Sequence, residues 1–310
     1  MRVAIFGAGG AGGFFGALLC KAGEDVVVIA RGEHLEAIRE NGLRINSIDG
    51  DFVVRPRVAT DSPEDIGPVD MILLGVKAWQ VPEVAPSLSP MLGPETVVLP
   101  LQNGVETANH LVTALGENHV LGGLAKIISY KSGPGEIRHV GAHPYIAFGE
   151  LDGRQTDRIN RIRTALEQAG VTVDIFDDIQ AALWNKFLFV VSWGGVGAAT
   201  DSSIGVIRSV PETRRMLEQT MDEIYAVAIK RNIALPDHIV QDTMKFVDSL
   251  PYNGTASLQR DIAEGKPSEL DAWNGAVVRL GREMSVEVPL NTFIYNSLLP
   301  RGLKARGQLQ

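Results

Sequence analysis

Residues 7–12 read Gly-Ala-Gly-Gly-Ala-Gly, directly after the apolar run Arg2 to Phe6 and directly before Phe14-Phe15-Gly16-Ala17-Leu18-Leu19. A strand, a turn spaced G-x-G-x-x-G and a helix in immediate succession leave few folds open. Gly7 is expected to make the tight turn, Gly9 to let backbone approach a pyrophosphate, and Gly12 to let the helix pack on the strand. The amides and positive dipole end of that helix then form an anion site. The chain has 33 glycines, so the spacing alone carries little weight. Its place between a strand and a helix carries the weight instead. Gly7, Ala8, Gly9, Gly10, Ala11 and Gly12 are therefore the expected seat of a dinucleotide.

The second strand sharpens the cofactor choice. Asp25 to Ala30 follows the turn Ala22-Gly23-Glu24. In a site for NAD, an Asp or Glu at the end of this strand holds the ribose 2′-hydroxyl. Here the strand ends in Ala30-Arg31-Gly32. No carboxylate repels a 2′-phosphate, and Arg31 offers a planar cation to pair with one. The plain alternative is a solvated arginine after a strand, but the position favours the phosphate. NADP(H) is predicted over NAD(H).

The first half alternates strands and helices. Helices are predicted at 35–41, 84–92, 104–115 and 157–169. Strands are predicted at 43–45, 52–54, 70–76, 96–101 and 171–176, with a hairpin around Asp49-Gly50 and further strands from Leu121 through Phe148. The continuous apolar run at 70–76 suits a strand buried on both faces. This is the pattern of a doubly wound α/β domain. From Asp178 onward strand signals vanish, and helices are predicted at 178–199, 211–232, 237–250, 255–264, 268–284 and 290–299. Pro211, Pro236 and Pro289 fall near helix starts, where proline is tolerated. The expected division is a Rossmann-type domain, 1–177, and an all-helical domain, 178–310. Ligands of such proteins sit at the carboxyl ends of the parallel strands, where a second domain can close over them.

Composition bounds the function. The chain has 310 residues and a net charge of −8, which disfavours nucleic acid as a partner. Cys20 is the single cysteine, so no internal disulfide forms, and packing is its expected role. There is no signal-peptide layout at the start and no run of about 18 apolar residues for a membrane span. Cytoplasmic residence is the default expectation. The six histidines show no paired metal-ligand spacing, and no G-x-S-x-G element is present. Apolar helical domains often self-associate, which is compatible with a homodimer.

Four side chains stand out as chemistry. Lys77 and Asn103 each fall just past a predicted strand, at the edge where a cofactor is expected. Their plain alternatives are a solvated cation and a turn or helix cap. Lys186 sits in Leu183-Trp184-Asn185-Lys186-Phe187-Leu188-Phe189, so it either snorkels or is held for work. Desolvation lowers the pKa of an ammonium and suits it to general-acid chemistry. Glu269, at the start of a later predicted helix, either caps that helix or pairs with Lys186.

Taken in order, Gly7 to Gly12, Lys77-Ala78-Trp79-Gln80, Gln102-Asn103-Gly104, Leu183-Trp184-Asn185-Lys186, Ser257 to Asp261, and Glu269-Leu270-Asp271 with Asn274-Gly275 resemble the ketopantoate reductase (2-dehydropantoate 2-reductase) family over nearly the whole chain. The resemblance implies a Rossmann domain followed by a helical one. It implies NADPH-driven reduction of a 2-oxo acid and a place in pantothenate biosynthesis. It implies that Lys186 donates the proton and that Lys77, Asn103 and Glu269 line the cofactor and reaction centre. Ser257 would meet the substrate carboxylate, and Arg31 occupies the 2′-phosphate position.

One departure stands out. The family pattern places substrate-contacting asparagines four and eight residues after the catalytic lysine, on one helix face. Here those substrate-binding positions are Val190 and Gly194, and Trp193 shares the face. A site built to bond a hydroxyl rejects analogues by orders of magnitude when the bond is missing. A less hydroxylated or bulkier 2-oxo acid is therefore expected. Two alternatives stay open. One is a reductase of a different oxo acid or an imine on the same scaffold, and the other is an NADPH-binding sensor without turnover.

Overall fold

β-Branched runs build the centre of the first half. The strands are β1 (Arg2–Phe6), β2 (Asp25–Ile29), β3 (Leu43–Ser47), β4 (Phe52–Val54), β5 (Val58–Thr60), β6 (Met71–Leu74), β7 (Val97–Pro100), β8 (Leu121–Gly133), β9 (Glu136–Glu150) and β10 (Thr172–Ile175). Between them lie α1 (Gly10–Lys21), α2 (Gly32–Asn41), α3 (Val81–Val84), α4 (Thr107–Leu115) and α5 (Asp157–Gln168). The structure, a computed structural model, describes residues 1–309. It divides into two units, Met1–Gln102 with Thr107–Ile179, and Asn103–Glu106 with Gln180–Gln310.

In the first unit, five strands form a parallel sheet in the order β5-β2-β1-β6-β7. The chain runs outward from β1 through β2 to β5, then returns to the other side of β1 for β6 and β7. Every carboxyl end therefore lies on one edge, and the order reverses at β1 and β6, where ligands of open α/β sheets bind. Both faces are covered, which explains the unbroken apolar strands. Val3, Ile5, Val26, Val28, Met71 and Leu73 join a core with Phe14, Phe15 and Leu19 of α1. Their neighbours Ala4, Phe6, Val27, Ile29, Ile72 and Leu74 face the opposite core, with Val81, Val84, Leu88 and Leu111. The period of two along each strand accounts for the split.

A second sheet, β10-β9-β3-β4 with β8 on β9, packs its Ile45, Ile137 and Ile146 into the α1 core. β3 and β4 form the antiparallel pair expected around Asp49-Gly50. The strands expected from Leu121 onward are one long antiparallel hairpin, β8 with β9, interrupted by register shifts near Lys126 and Lys131. β5 carried no recognised sequence signal. The helix predicted at 84–92 is instead α3 followed by a 3-10 run, Ala85–Met91. Pro86 and Pro90 each remove an amide donor, which an α-helix tolerates poorly in its interior.

The second unit is helical, with no strand among its described residues. It comprises α6 (Ile179–Thr200), α7 (Ile204–Ser209), α8 (Pro211–Lys230), α9 (Ile239–Ser249), α10 (Ser257–Ala263), α11 (Ala276–Met284) and α12 (Pro289–Ala305). α7 is a short helix absent from the sequence expectation. α8 shows why these segments are helical. Pro211 fills the first turn, Glu212 and Lys230 complement the dipole, and Leu217, Met221, Ile224 and Ala228 bury one face. The helix predicted at 268–284 starts with a π-helical turn, Asp271–Gly275, before α11. No helix among the described residues is long and apolar enough to cross a membrane.

Candidate functional site

The glycine turn follows β1 at the carboxyl edge of the parallel sheet. Gly7 has φ +96°, a left-handed conformation, and a Cβ there would stand 2.8 Å from the amide nitrogen of Val76. A Cβ on Gly12 would collide with the Gly7 carbonyl oxygen and lie 3.1 Å from the Cα of Gly75. Gly7, Gly12 and Gly75 thus bring the starts of the turn, of α1 and of the segment after β6 into backbone contact. Gly9 differs, because nothing lies within 4 Å of where its Cβ would be. Gly9 is the N-cap of α1, whose first turn carries no acidic residue. Open space facing unneutralised helix amides is the geometry an anionic group requires.

Two buried side chains brace this edge. Gln102 donates from Nε2 to the carbonyls of Leu74 (2.8 Å) and Val76 (2.9 Å), tying the loop after β7 to the end of β6. His34 bridges Ala8 O (2.8 Å) through Nε2 and accepts from the Gly135 amide (2.9 Å) at Nδ1. An amide donor at Nδ1 fixes the proton on Nε2, so the ring is neutral. Burial pulls its pKa below the usual histidine value, and the nearby Lys131 charge adds to this, while the Ala8 hydrogen bond opposes it. Neither residue was predicted for this bracing role. Gln102 lies inside the Gln102-Asn103-Gly104 motif, but nothing in the sequence ties His34 to Ala8.

Arg31 is exposed after β2, in extended conformation at the N-cap of α2. Lys77 is exposed after β6, with its ammonium 5.8 Å from the centroid of the Trp79 ring. Its amide donates to Gln80 Oε1 (3.1 Å), which fixes the turn that presents it.

Asn103 belongs with the helical unit. Its carbonyl accepts a 3.0 Å hydrogen bond from the indole Nε1 of Trp273, 170 residues away. Glu106 accepts from Arg279 Nη2 at 2.8 Å, and Arg279 also donates to the Asp271 carbonyl (3.0 Å) and Oδ1 (3.2 Å). Burial opposes the Arg279 charge, yet the bonds to Glu106 and Asp271 hold its pKa above the ordinary value. Tyr295 donates to the same Asp271 oxygen, 2.9 Å. The π-helical turn and the segment after β7 are therefore clamped at two points.

Lys186 is half-buried on α6, among the buried Leu183, Trp184, Phe187 and Leu188. Val190 and Trp193, on the same face, are also half-buried. The Trp193 ring lies 5.3 Å from that of Phe189, and its indole N–H is buried without an acceptor. Gly194 is placed differently from a surface contact. It is buried, and its Cβ direction is filled by the Trp273 ring (2.7 Å to Cζ3) and Leu258 (3.2 Å to Cβ). At this turn of α6 the side-chain volume comes from Trp273. Leu258 follows Ser257, the half-buried first residue of α10, so α10 and the π-helical turn both pack on α6 at Gly194. Gly194 lies about 12 Å along the helix from Lys186. Glu269 is 7% exposed, just ahead of the π-helical turn, and its carbonyl accepts from the Trp273 amide at 2.9 Å.

Known proteins resemble this chain over most of its length. Residues 3–153 match the family described as "Ketopantoate reductase PanE/ApbA", and residues 178–301 match its C-terminal counterpart. An uncharacterised oxidoreductase, YkpB, of Bacillus subtilis is 28% identical, over 96% of this chain and 98% of its own. A 2-dehydropantoate 2-reductase of Mesorhizobium japonicum is 30% identical, over 93% and 94%. The crystal structure of 2-dehydropantoate 2-reductase from Geobacter metallireducens superposes with a TM-score of 0.88 at 32% identity, covering 96% of this chain and 99% of that one. With both halves matched, nearly full-length relatives, and the glycine turn and helical unit in the same order, the chain belongs to the ketopantoate reductase PanE/ApbA family of oxidoreductases.

Proposed function

We propose that the protein is an NADPH-dependent reductase of a 2-oxo acid, working in the cytoplasm, with Lys186 as the proton donor. The carrying observation is the setting of Lys186, a half-buried lysine on α6 with the buried, apolar Leu183, Trp184, Phe187 and Leu188 close by in sequence and only Asn185 exposed beside it. The glycine turn supports the cofactor class, since Gly9 faces open space at the start of α1. Arg31, exposed where an NAD site would carry a carboxylate, supports the phosphorylated form.

The amides of the Gly7–Gly12 turn hold the pyrophosphate, and Arg31 pairs with the 2′-phosphate. Lys77 and Asn103 orient the ribose and nicotinamide. NADPH, when bound, supplies the hydride that reduces the ketone carbon. Lys186 stabilises the negative charge growing on the carbonyl oxygen and then gives that oxygen its proton. Glu269 keeps Lys186 in the charged form, and Ser257 donates its hydroxyl to the substrate carboxylate. Val190 and Gly194 occupy the two positions where the family pattern has asparagines, and neither offers a hydrogen-bonding side chain. The preferred acid is accordingly less hydroxylated or bulkier than ketopantoate.

Following NADPH absorbance over a panel of 2-oxo acids tests this. Lys186→Ala is expected to lower kcat by about 10²–10⁴ with NADPH binding kept. Unchanged turnover would make Lys186 structural. A kcat/KM for ketopantoate as high as for any acid in the panel would overturn the substrate assignment. Arg31→Ala is expected to erase a preference for NADPH over NADH. Equal affinity of the unaltered protein for both would overturn the cofactor assignment.

A further inference from the structure

The Trp273 ring is 2% exposed and touches two elements that carry proposed site residues. Its Nε1–H donates to the main-chain carbonyl of Asn103 at 3.0 Å. Its benzenoid edge occupies the space beside Gly194, where a Cβ would stand 2.7 Å from Cζ3 and 3.1 Å from Cε3. Any larger residue at 194 therefore displaces the ring, and with it the donor that holds Asn103. The backbone around Trp273 is the π-helical turn Asp271–Gly275, an irregularity that rotates successive side chains off the α-helical spacing. Arg279 pins the same turn to Glu106, three residues past Asn103.

We propose that Trp273 is a positioning residue. It sets Asn103 against the α6 helix by using Gly194 as its seat, so the loop that orients the cofactor ring and the helix that carries Lys186 share one rigid reference. This rests on the proposed reductase reading for its catalytic consequence but not for its physical content. Misplacement of a reacting group by about 1 Å costs up to 10²-fold in rate, so loss of the indole donor is felt in kcat more than in cofactor affinity.

The experiment compares the unaltered protein, Trp273→Phe and Gly194→Ala. Trp273→Phe removes the donor and keeps a ring, and Gly194→Ala keeps the donor and crowds its seat. Both are expected to lower kcat about 5- to 50-fold, with the NADPH dissociation constant changed by less than about threefold. The double variant is expected to fall no further than the worse single one, because both act through one ring. Full additivity, or equal losses in kcat and NADPH affinity, would overturn the proposal. A second readout needs neither turnover nor a variant that folds well. In ¹⁵N-tryptophan-labelled unaltered protein, the Trp273 indole N–H is expected to be slow to exchange and to shift on saturation with NADPH, while that of Trp184 stays in place. A Trp273 indole signal indifferent to saturating NADPH would sink the positioning role. A responsive signal in a protein that reduces no 2-oxo acid would sink the substrate reading alone.

Discussion

Two glycine clusters in this chain look alike in sequence and work in opposite ways. In the turn after β1, glycines serve the backbone: Gly7 is left-handed, and Gly12 lies against Gly7 and Gly75. The gap at Gly9 is left open. On α6, glycines serve distant side chains. Gly194 takes the Trp273 ring, Gly195 takes the Asn274 amide (2.7 Å to Nδ2 from a built Cβ) and Gly197 takes Gln259 (2.7 Å to Oε1). The first cluster leaves space at Gly9 that no protein atom fills. The second makes room for the protein itself, and its missing atoms are already replaced.

The sharpest break between the two comes from adding one methyl group. Gly12→Ala places a Cβ into backbone that cannot yield, since the obstructing atoms are the Gly7 carbonyl and the Gly75 Cα. NADPH binding is expected to be lost and stability to fall by about 1–3 kcal/mol, read by calorimetry and by quenching of NADPH fluorescence. Gly9→Ala is the control on the same turn. It meets no protein atom and sits at φ −73°, which alanine adopts freely. Melting should be unchanged or slightly raised, while NADPH affinity drops. If Gly9→Ala binds NADPH as tightly as the unaltered protein, the open space there is not a ligand seat.

The same contrast explains what the sequence made legible. The first cluster could be read because its cause is local: strand, turn and helix are contiguous, and each glycine answers a backbone need within a few residues. Strand ends followed, which placed Arg31, Lys77 and Asn103 on one kind of edge. The helical unit could be read as helices, since α8 and α9 carry a clear apolar face. What Gly194 does could not be read, because its partner is Trp273, on a later element, and no spacing rule joins the two. His34 and Gln102 were opaque for the same reason. Each makes hydrogen bonds across 26 or more residues to main-chain atoms that any residue type supplies.

On α6 the added methyl should cost less, and in a different currency. Gly195→Ala meets the Asn274 side chain, which is 0% exposed and bonded to Asn291 Oδ1 at 3.0 Å. A side chain gives way where backbone does not, so the expected loss is about 1–2 kcal/mol in urea unfolding, with NADPH affinity intact. An affinity loss as large as that of Gly12→Ala would erase the distinction between the clusters.

The smallest effect concerns the brace behind the first cluster. His34 is neutral in the folded protein, and burial holds its pKa below the ordinary 6.5. The unfolded chain therefore takes up its proton first as pH falls. The contribution of His34 is complete above about 6.5 and is lost progressively as pH falls through the lowered folded value. Protonation would also set an N–H at Nδ1 against the Gly135 amide, ending the bond that links the hairpin tip to the ring. His34→Gln should melt a few degrees lower at neutral pH and show a shallower loss of Tm between pH 6.5 and 5 than the unaltered protein. Every other histidine is common to both proteins, so the difference between their slopes isolates His34. Parallel slopes would mean that Ala8 is held by the fold of the turn alone. The first cluster would then need no side chain from elsewhere in the chain, and its contrast with α6 would be complete.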